Sequence, residues 1–236
     1  MTAQFILNEL LSVADPEKAA FLQRFFKTGK GQYAEGDVFL GIVVPLTRDI
    51  VKRSPELPFS EIQILIDSEY HEARLAGFLL LGKQFKKEKS NKFRQKEIFD
   101  FYLQNARKAN NWDLVDVTCR DVIGQYLLET EEERDVLYRL AESDNLWEQR
   151  IAVVSTWTFI KYKQFDDTFA LVEKLINHKH DLMHKAMGWM LREIGKKDKD
   201  HLADFLEIHH KKLPRTSLRY AIEHFSPEEK AHFMKK

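Results

Sequence analysis

Hydrophobic residues recur at intervals of three and four along almost the whole chain, with charged residues between them. This spacing places apolar side chains on one helix face and predicts amphipathic α-helices. Glycine and proline, with 9 and 6 copies, fall mainly at the ends of the periodic segments. We therefore predict helices joined by short links near residues 3–13, 16–27, 45–53, 60–66, 69–87, 91–107, 112–127, 131–141, 146–161, 166–177, 182–196, 199–211, 215–224 and 227–234.

One stretch departs from the helical pattern. Residues 28–37 contain Gly29, Gly31 and Gly36, and an apolar run follows at 38–42. Glycine supplies turns with positive φ, and the two flanks are able to pair as strands. The composition predicts a small β-hairpin or an ordered loop near residues 28–42. Both a plain surface turn and a projecting loop that contacts a partner fit it.

A weak internal repeat runs through the helices. Similar helical patterns begin at Arg74, Asp113, Arg150 and His184, which are 39, 37 and 34 residues apart. Periods of this size are typical of helical solenoids such as HEAT-type arrays, in which stacked helix pairs bury a continuous core. The sequence therefore predicts an all-α solenoid in which the second helix of each pair carries the functional residues.

Composition and charge limit the function classes. A chain of 236 residues is compatible with one domain, and the single Cys119 excludes an intrachain disulfide, which fits a cytoplasmic location. No apolar run approaches the roughly 18 residues of a membrane span. The 37 basic and 37 acidic residues cancel, so bulk charge does not signal nucleic-acid binding. If DNA is the partner, the cations must be segregated onto one face.

The start of one predicted helix carries the strongest candidate site. Trp112 and Asp116 are four residues apart and lie on one helix face. An aromatic face beside a fixed negative charge suits a flat cationic ring. Trp189 and Arg192, at a spacing of three, place a tryptophan and a cation on one face of another helix. The alternative is structural, with Trp112 in packing and Asp116 in an ion pair with Arg120.

Other reactive side chains suggest no separate chemistry. His178, His180 and His184 have a spacing that is able to chelate a metal, but no paired cysteine follows, and a solvated cluster is the favoured interpretation. Trp147 and Trp157 are interpreted as core residues. Neither a metal nor a cofactor is predicted.

Five segments carry a resemblance to a known family. They span about residues 15–195 and resemble the DNA alkylation repair family of HEAT-like-repeat proteins, in particular the AlkD-type glycosylases. The segments are Asp15-Pro16-Glu17-Lys18-Ala19, Phe39-Leu40-Gly41-Ile42, Trp112-Asp113-Leu114-Val115-Asp116, residues 143–150 from Ser143 to Arg150, and residues 185–193 from Lys185 to Glu193.

The resemblance implies a fold, a substrate and roles for residues. It implies a right-handed solenoid, a single HEAT-like-repeat domain over residues 1–236, whose concave face binds double-stranded DNA as a monomer. AlkD-type enzymes excise cationic N3- and N7-alkylated purines by hydrolysis of the N-glycosidic bond. On matching positions, Asp116 is the catalytic carboxylate and Trp112 and Trp189 flank the lesion nucleotide. The implied phosphate ligands are Arg150, Lys185 and Arg192.

Two departures from the family pattern leave an alternative open. The chain inserts residues 29–37, and Asn111 stands where the enzymes carry a second tryptophan. Relatives called AlkF and AlkG have a hairpin near the N-terminus and resemble binders of branched DNA with little or no glycosylase activity. In that alternative the DNA contacts of the hairpin are Lys30, Gln32 and Tyr33. A third possibility is a protein-interaction solenoid, which zero net charge permits.

Overall fold

The computed structural model describes residues 2–130 and 133–235, and these form two compact units with a boundary after Val122. The first unit contains α1 Ala3–Ser12, α2 Pro16–Phe25, α3 Val44–Arg53, α4 Phe59–Ile66, α5 His71–Lys87, α6 Lys92–Gln104 and α7 Trp112–Asp116. The second contains α8 Gln125–Glu129, α9 Asp135–Ala141, α10 Leu146–Ser155, α11 Trp157–Lys161, α12 Asp166–Lys174, α13 Asp181–Lys197, α14 Lys199–His209, α15 Arg215–Ala221 and α16 Pro227–Met234. The predicted all-α class with helical repeats is confirmed.

Helix starts follow the capping signals of the sequence. Asp15 caps α2 by accepting a hydrogen bond from the Lys18 backbone N–H at 3.0 Å, and Pro16 occupies the first helical position. Asn145 caps α10 by accepting from the N–H groups of Trp147 and Glu148. These local bonds explain why the boundaries of α2 and α10 were readable from the sequence.

Two predicted helices are interrupted. The predicted segment 112–127 divides into α7, a π-helical turn at Arg120–Gly124, and α8. The predicted segment 146–161 divides at Thr156, whose hydroxyl donates to the Val153 carbonyl at 2.7 Å. Such back-bonding by threonine bends helices. The predicted start of the segment 131–141 falls on residues 131 and 132, which lie outside the described part of the chain.

The first unit is built around α5. This 17-residue helix contacts α1, α3, α4 and α6, and Leu75, Phe78 and Phe85 are completely or almost completely buried. Burying side chains of this size contributes about 1.5–3 kcal/mol each. The Lys83 ammonium donates to the carbonyls of Val51 and Lys52 at 3.0 Å and so caps the C-terminus of α3.

The second unit is built around α13, which contacts α10, α14 and α15. Gly188 lies at a close contact between α13 and α15. A Cβ atom at this position would lie 2.6 Å from the Ser217 carbonyl oxygen and 2.7 Å from the Cβ of Tyr220. The glycine in the segment 185–193 is therefore required for helix packing.

Residues 28–37 form an ordered loop, and no strand pair occurs there among the described residues. The only bridge nearby in that part of the chain joins Val38 and Tyr70. Within the loop, the Gln32 side-chain oxygen accepts from the Gly29 N–H at 3.0 Å, and Glu35 accepts from the Gly31 N–H at 2.7 Å. These side-chain bonds occupy backbone groups that a hairpin ladder would need. Of the two predicted alternatives, the ordered loop is therefore the observed one.

The segment after the loop is fixed by a buried carboxylate. Glu72, on α5, accepts hydrogen bonds from the backbone N–H groups of Leu40, Gly41 and Ile42 at 2.9–3.0 Å. Gly41 has a φ of +84°, and a Cβ atom on it would lie 2.1 Å from the Asp15 carbonyl oxygen. The Phe39–Ile42 segment therefore packs closely against the start of α2 on one side and is hydrogen-bonded to α5 on the other.

None of the helices in the described ranges is both long enough and apolar enough to cross a membrane.

Replacing Gly41 with alanine is expected to destabilise the protein more than replacing Gly31. Both residues have positive φ, but a Cβ on Gly31 meets nothing within 4 Å, whereas one on Gly41 collides with backbone. Gly31→Ala should cost about 1–2 kcal/mol from the left-handed backbone alone, and Gly41→Ala clearly more. Urea unfolding monitored by circular dichroism measures both. Equal losses of unfolding free energy in the two variants would show that the close backbone contact at Gly41 does not exclude a side chain there.

Candidate functional site

Trp112 is held in place by the segments around it. The Asn111 side chain caps α7 and accepts from the Trp112 backbone N–H at 2.8 Å. The half-buried indole stacks on Phe26, with ring centroids 5.1 Å apart and planes 23° apart, and meets the Phe25 ring edge-on at 6.2 Å. Its Nε1 donates to the Tyr33 hydroxyl at 3.3 Å. The loop 28–37 therefore reaches the predicted site directly.

Asp116 is the last residue of α7, one helical turn from Trp112. Its side chain is half-buried. Burial raises the pKa of the neighbouring phenol Tyr102 well above its usual value, and the negative charge of Asp116 adds to this increase. Asp116 thus places a carboxylate at the edge of the core rather than on an open surface.

A cationic groove adjoins the end of α7. Its volume is about 530 Å³, and it lies between α3, α5 and the residues that follow Asp116. The lining contains four basic side chains and one acidic one, and the other lining residues are mostly apolar. The lining consists of Arg48, Lys52, Lys83, Lys86 and Asp121, together with Val51, Phe78, Leu79, Gly82, Val117 and Thr118.

The basic side chains of the groove differ in their hydrogen-bond and ion-pair partners. Lys86 pairs with Asp121 at 2.7 Å, and Arg48 is 3.5 Å from the Val117 carbonyl oxygen. The Lys52 ammonium has no ion-pair partner within residues 2–130 and 133–235. A chain with zero net charge therefore concentrates positive charge beside Asp116, as DNA binding would require.

A cluster of buried charged and polar side chains connects the loop 28–37 to α7, the helix that begins with Trp112. Asp37 accepts hydrogen bonds from His71 Nδ1 and Asn110 Nδ2, each at 3.1 Å, and pairs with Arg74. The other ring nitrogen of His71, Nε2, lies 2.8 Å from Asp113 in α7. The cluster consists of Asp37, His71, Arg74, Asn110 and Asp113, and it joins the loop, α5 and α7.

The cluster shifts the proton affinities of its members. Burial acts to raise the pKa of Asp37, but the hydrogen bond from His71 and the charge of Arg74 outweigh it and lower that pKa. Burial acts to lower the pKa of His71, but the charge and hydrogen bond of Asp113, together with Asp37, raise it to about 9. His71 is therefore a buried imidazolium at neutral pH, between two carboxylates.

The second unit contains the remaining predicted site residues. Arg150 is only 5% exposed and donates to the Leu182 carbonyl. On α13, Lys185 pairs with Asp181 at 2.8 Å, and Arg192 pairs with Glu223. Trp189, on the same helix, is half-buried. Phosphate binding by Lys185 or Arg192 would therefore require an exchange of partners.

The structure brings some of the predicted residues together. Trp112 and Asp116 share α7 in the first unit, and Lys185, Trp189 and Arg192 share α13 in the second. In the loop, Lys30 and Gln32 are exposed. Trp147 is a buried core residue, as predicted. The roles of the two sets in catalysis and DNA binding stay predictions.

Sequence reasoning missed the buried cluster. Asp37, His71 and Asp113 are separated by 34 and 42 residues along the chain, and no spacing links them. One available signal was the pair Asn110-Asn111 directly before Trp112, because amides that precede a helix commonly accept or donate hydrogen bonds. Only Asn111 acts as the helix cap; Asn110 serves the cluster.

The histidines of the second unit are engaged with protein groups. His178 Nε2 lies 2.8 Å from the Gln149 side-chain oxygen, and His180 Nδ1 accepts from the Leu182 N–H at 3.1 Å. His184 Nε2 contacts the His178 carbonyl oxygen. No group of three or more histidine, cysteine or acidic side chains suited to a metal ion occurs in the described ranges.

Comparison with known proteins assigns the family. The model of the family described as "DNA alkylation repair enzyme" matches residues 6–225. Among curated proteins, none matches the sequence significantly. The chain is also similar to the solved structure of a predicted DNA alkylation repair enzyme from Enterococcus faecalis, with a TM-score of 0.71. The two are 17% identical, over 91% of this chain and 97% of that chain, so the likeness concerns the fold.

Stability should decrease between neutral and alkaline pH because of His71. Its pKa of about 9 in the folded state exceeds the 6.5 of an unperturbed histidine. The stabilisation is therefore fully present below pH 6.5 and is lost as pH rises through about 9. We expect the urea midpoint to fall across this window in the wild type and to change little with pH in His71→Gln. That variant should be less stable by about 3–5 kcal/mol at pH 6.5.

A matched control is His232→Gln. His232 is exposed and pairs with Glu207 at 2.8 Å, and such surface pairs contribute little stability, so its loss should change the urea midpoint only slightly. Identical profiles in wild type and His71→Gln would contradict a buried imidazolium.

Proposed function

The chain belongs to the DNA alkylation repair enzyme family, and from this premise we propose that it excises cationic N3- and N7-alkylated purines from duplex DNA by hydrolysis of the N-glycosidic bond. The observation that carries the proposal is the Trp112–Asp116 pair on one short helix beside a cationic groove. We further propose that both units act together as one DNA-binding domain, as a monomer in the cytoplasm.

Asp116 is the proposed catalytic carboxylate. Alkylation at N3 or N7 gives the purine a positive charge, so it leaves readily as a neutral base. Positive charge then develops on the deoxyribose as the bond to the base breaks. A fixed carboxylate stabilises that charge and orients the water that attacks the sugar. The half-buried position of Asp116 strengthens this effect, because charges interact more strongly away from bulk water.

Trp112 is the proposed platform for the lesion nucleotide. Within the described residues its ring contacts are with Phe25 and Phe26, and its Nε1 is fixed by Tyr33. A ring held in this way loses little further freedom when a ligand binds. A cation beside an aromatic face is stabilised by about 0.5–2 kcal/mol. On the second unit, Trp189 is proposed to act in the same way.

The groove beside α7 is the proposed phosphate-binding surface of the first unit. Arg48 and Lys52 are exposed there, and contacts of basic side chains to phosphate position duplex DNA without reading its sequence. In the second unit, Arg192 and Lys185 are proposed to exchange carboxylate partners for phosphate. Arg150, which is buried, is proposed to support that surface by bonding to the Leu182 carbonyl.

Asp116→Asn should abolish most base release. The amide keeps the size of the side chain but removes its charge, and loss of one preorganised electrostatic group costs roughly 10²–10³ in rate. The measurement is release of methylated purines from alkylated duplex DNA under single-turnover conditions, with DNA binding measured in parallel.

The control for this test is Asp100→Asn. Asp100 is an exposed carboxylate on α6 that pairs with Lys96 and lies outside the groove. It should release bases at the wild-type rate. Absence of release by the wild type at high protein excess would refute the glycosylase function, and equal rates in Asp116→Asn and wild type would refute the role of Asp116.

A second candidate function is non-catalytic binding of branched DNA. It is favoured by the loop 28–37, which is fixed at one end by the buried Asp37 and contacts Trp112 through Tyr33. The exposed Lys30 and Gln32 are then the proposed DNA contacts. In this function the loop, rather than the carboxylate, selects the substrate.

Under this second function, Lys30→Ala should weaken binding to a four-way junction more than binding to linear duplex. Loss of one phosphate contact should reduce the slope of log affinity against log salt concentration by about 1. Lys211→Ala, an exposed lysine of the second unit, is the matched control. Equal effects on both DNAs would exclude loop-directed junction binding. If the wild type binds neither DNA at low salt, a protein-interaction scaffold becomes the better description.

A further inference from the structure

Helix α2 presents two large aromatic side chains that the fold leaves uncovered. None of its residues is buried, and Phe21 and Phe25 are 56% and 54% exposed. They are four residues apart and so lie on one helix face. Their rings are nearly parallel, with planes 16° apart and centroids 6.3 Å apart. Neighbouring exposed apolar groups of this size mark interaction surfaces, unlike single scattered ones.

These rings continue into the candidate site. The Phe25 ring meets the Trp112 indole edge-on at 6.2 Å. Phe21, Phe25 and Trp112 therefore form one row of aromatic side chains, which we call the aromatic ledge. The ledge leads from the exposed face of α2 to the helix that carries Asp116.

The chain around the ledge is positively charged. From residue 21 to residue 34 it contains Arg24, Lys27 and Lys30 and no acidic residue. The side chains of these three have no hydrogen-bond or ion-pair partner in the described ranges. Glu17 lies one turn before Phe21 on the same face of α2, and the three cations outnumber this carboxylate. The surroundings of the ledge are therefore complementary to an anion.

We infer that the aromatic ledge binds unpaired nucleotides of a DNA strand that leaves the duplex beside Trp112. Aromatic side chains stack on bases of any sequence, and basic side chains beside them hold the phosphates. The inference rests on the proposed DNA binding and names its substrate class, which is duplex DNA interrupted by an unpaired segment. An apolar protein partner would fit the rings but would leave three cations unmatched.

Affinity for three labelled DNAs tests the inference by fluorescence anisotropy. The probes are an intact duplex, the same duplex with a gap of about five nucleotides in one strand, and an oligothymidine. The wild type should prefer the gapped duplex to the intact one. Phe21→Ala should lower affinity for the gapped duplex and for oligothymidine by about fivefold or more, and leave the intact duplex unchanged. Phe21 contacts Phe25 but not Trp112 in the aromatic pairs, so the Trp112 site stays intact.

Two further variants separate stacking from apolar burial and from charge. Phe21→Leu keeps an apolar side chain but removes the ring, so it should lose affinity as Phe21→Ala does. Arg24→Gln together with Lys27→Gln should reduce the salt dependence of gapped-duplex binding. Phe93→Ala is the control, because Phe93 is 76% exposed on α6, away from the ledge. It should behave as the wild type, and thermal unfolding should confirm that all variants are folded.

The outcomes distinguish this inference from the proposed function. Equal wild-type affinity for gapped and intact duplex, or no effect of Phe21→Ala, overturns the ledge while duplex binding stands. Ledge-dependent binding of oligothymidine without duplex binding supports the ledge and refutes the duplex function. If Phe21→Leu behaves as the wild type, or if Phe21→Ala converts a dimer to a monomer in light scattering, a protein surface covers the ledge and the inference is wrong.

Discussion

The pairing of the buried Asp37 carboxylate is the interaction on which the candidate site depends. A charge taken out of water is costly unless it is matched, and removing one partner of a buried pair costs about 3–5 kcal/mol. Asp37 is matched by Arg74 and His71, and His71 is matched in turn by Asp113. Because these groups come from the loop, α5 and α7, their pairing fixes all three segments at once. Trp112 immediately precedes Asp113 and is therefore positioned by the same pairing.

The loop and the start of α7 are consequently one structural feature. Asn111 is completely buried, and its amide nitrogen lies 3.5 Å from Asp37 while its oxygen caps α7. The indole of a tryptophan at this position would provide neither contact. The loop and Asn111 are thus linked through Asp37, whose buried carboxylate accepts hydrogen bonds from His71 in α5 and from the asparagines directly before α7.

Local signals made most of the helices predictable. Asp15 with Pro16, and Asn145, provide caps whose hydrogen bonds involve neighbours two or three residues away, so sequence spacing contains the required information. The interruptions at the π-helical turn Arg120–Gly124 and at Thr156 were not predicted, since apolar periodicity continues across them. The choice between hairpin and loop at 28–37 was also left open. It was decided by side chains such as Gln32 and Glu35, which bond to loop backbone.

The sequence by itself determined the all-α class, the family resemblance and the placement of Trp112 and Asp116 on one helix face, because each depends on residues close together in the chain. Only the tertiary structure showed that Trp112 stacks on Phe26 and is held by Tyr33, and that Arg150 is buried. It also revealed the charge cluster around His71 and the uncovered rings of α2. The contacts of Trp112, Arg150 and the charge cluster join residues 32 to 86 positions apart, where burial and charge pairing, rather than spacing, decide which side chains meet.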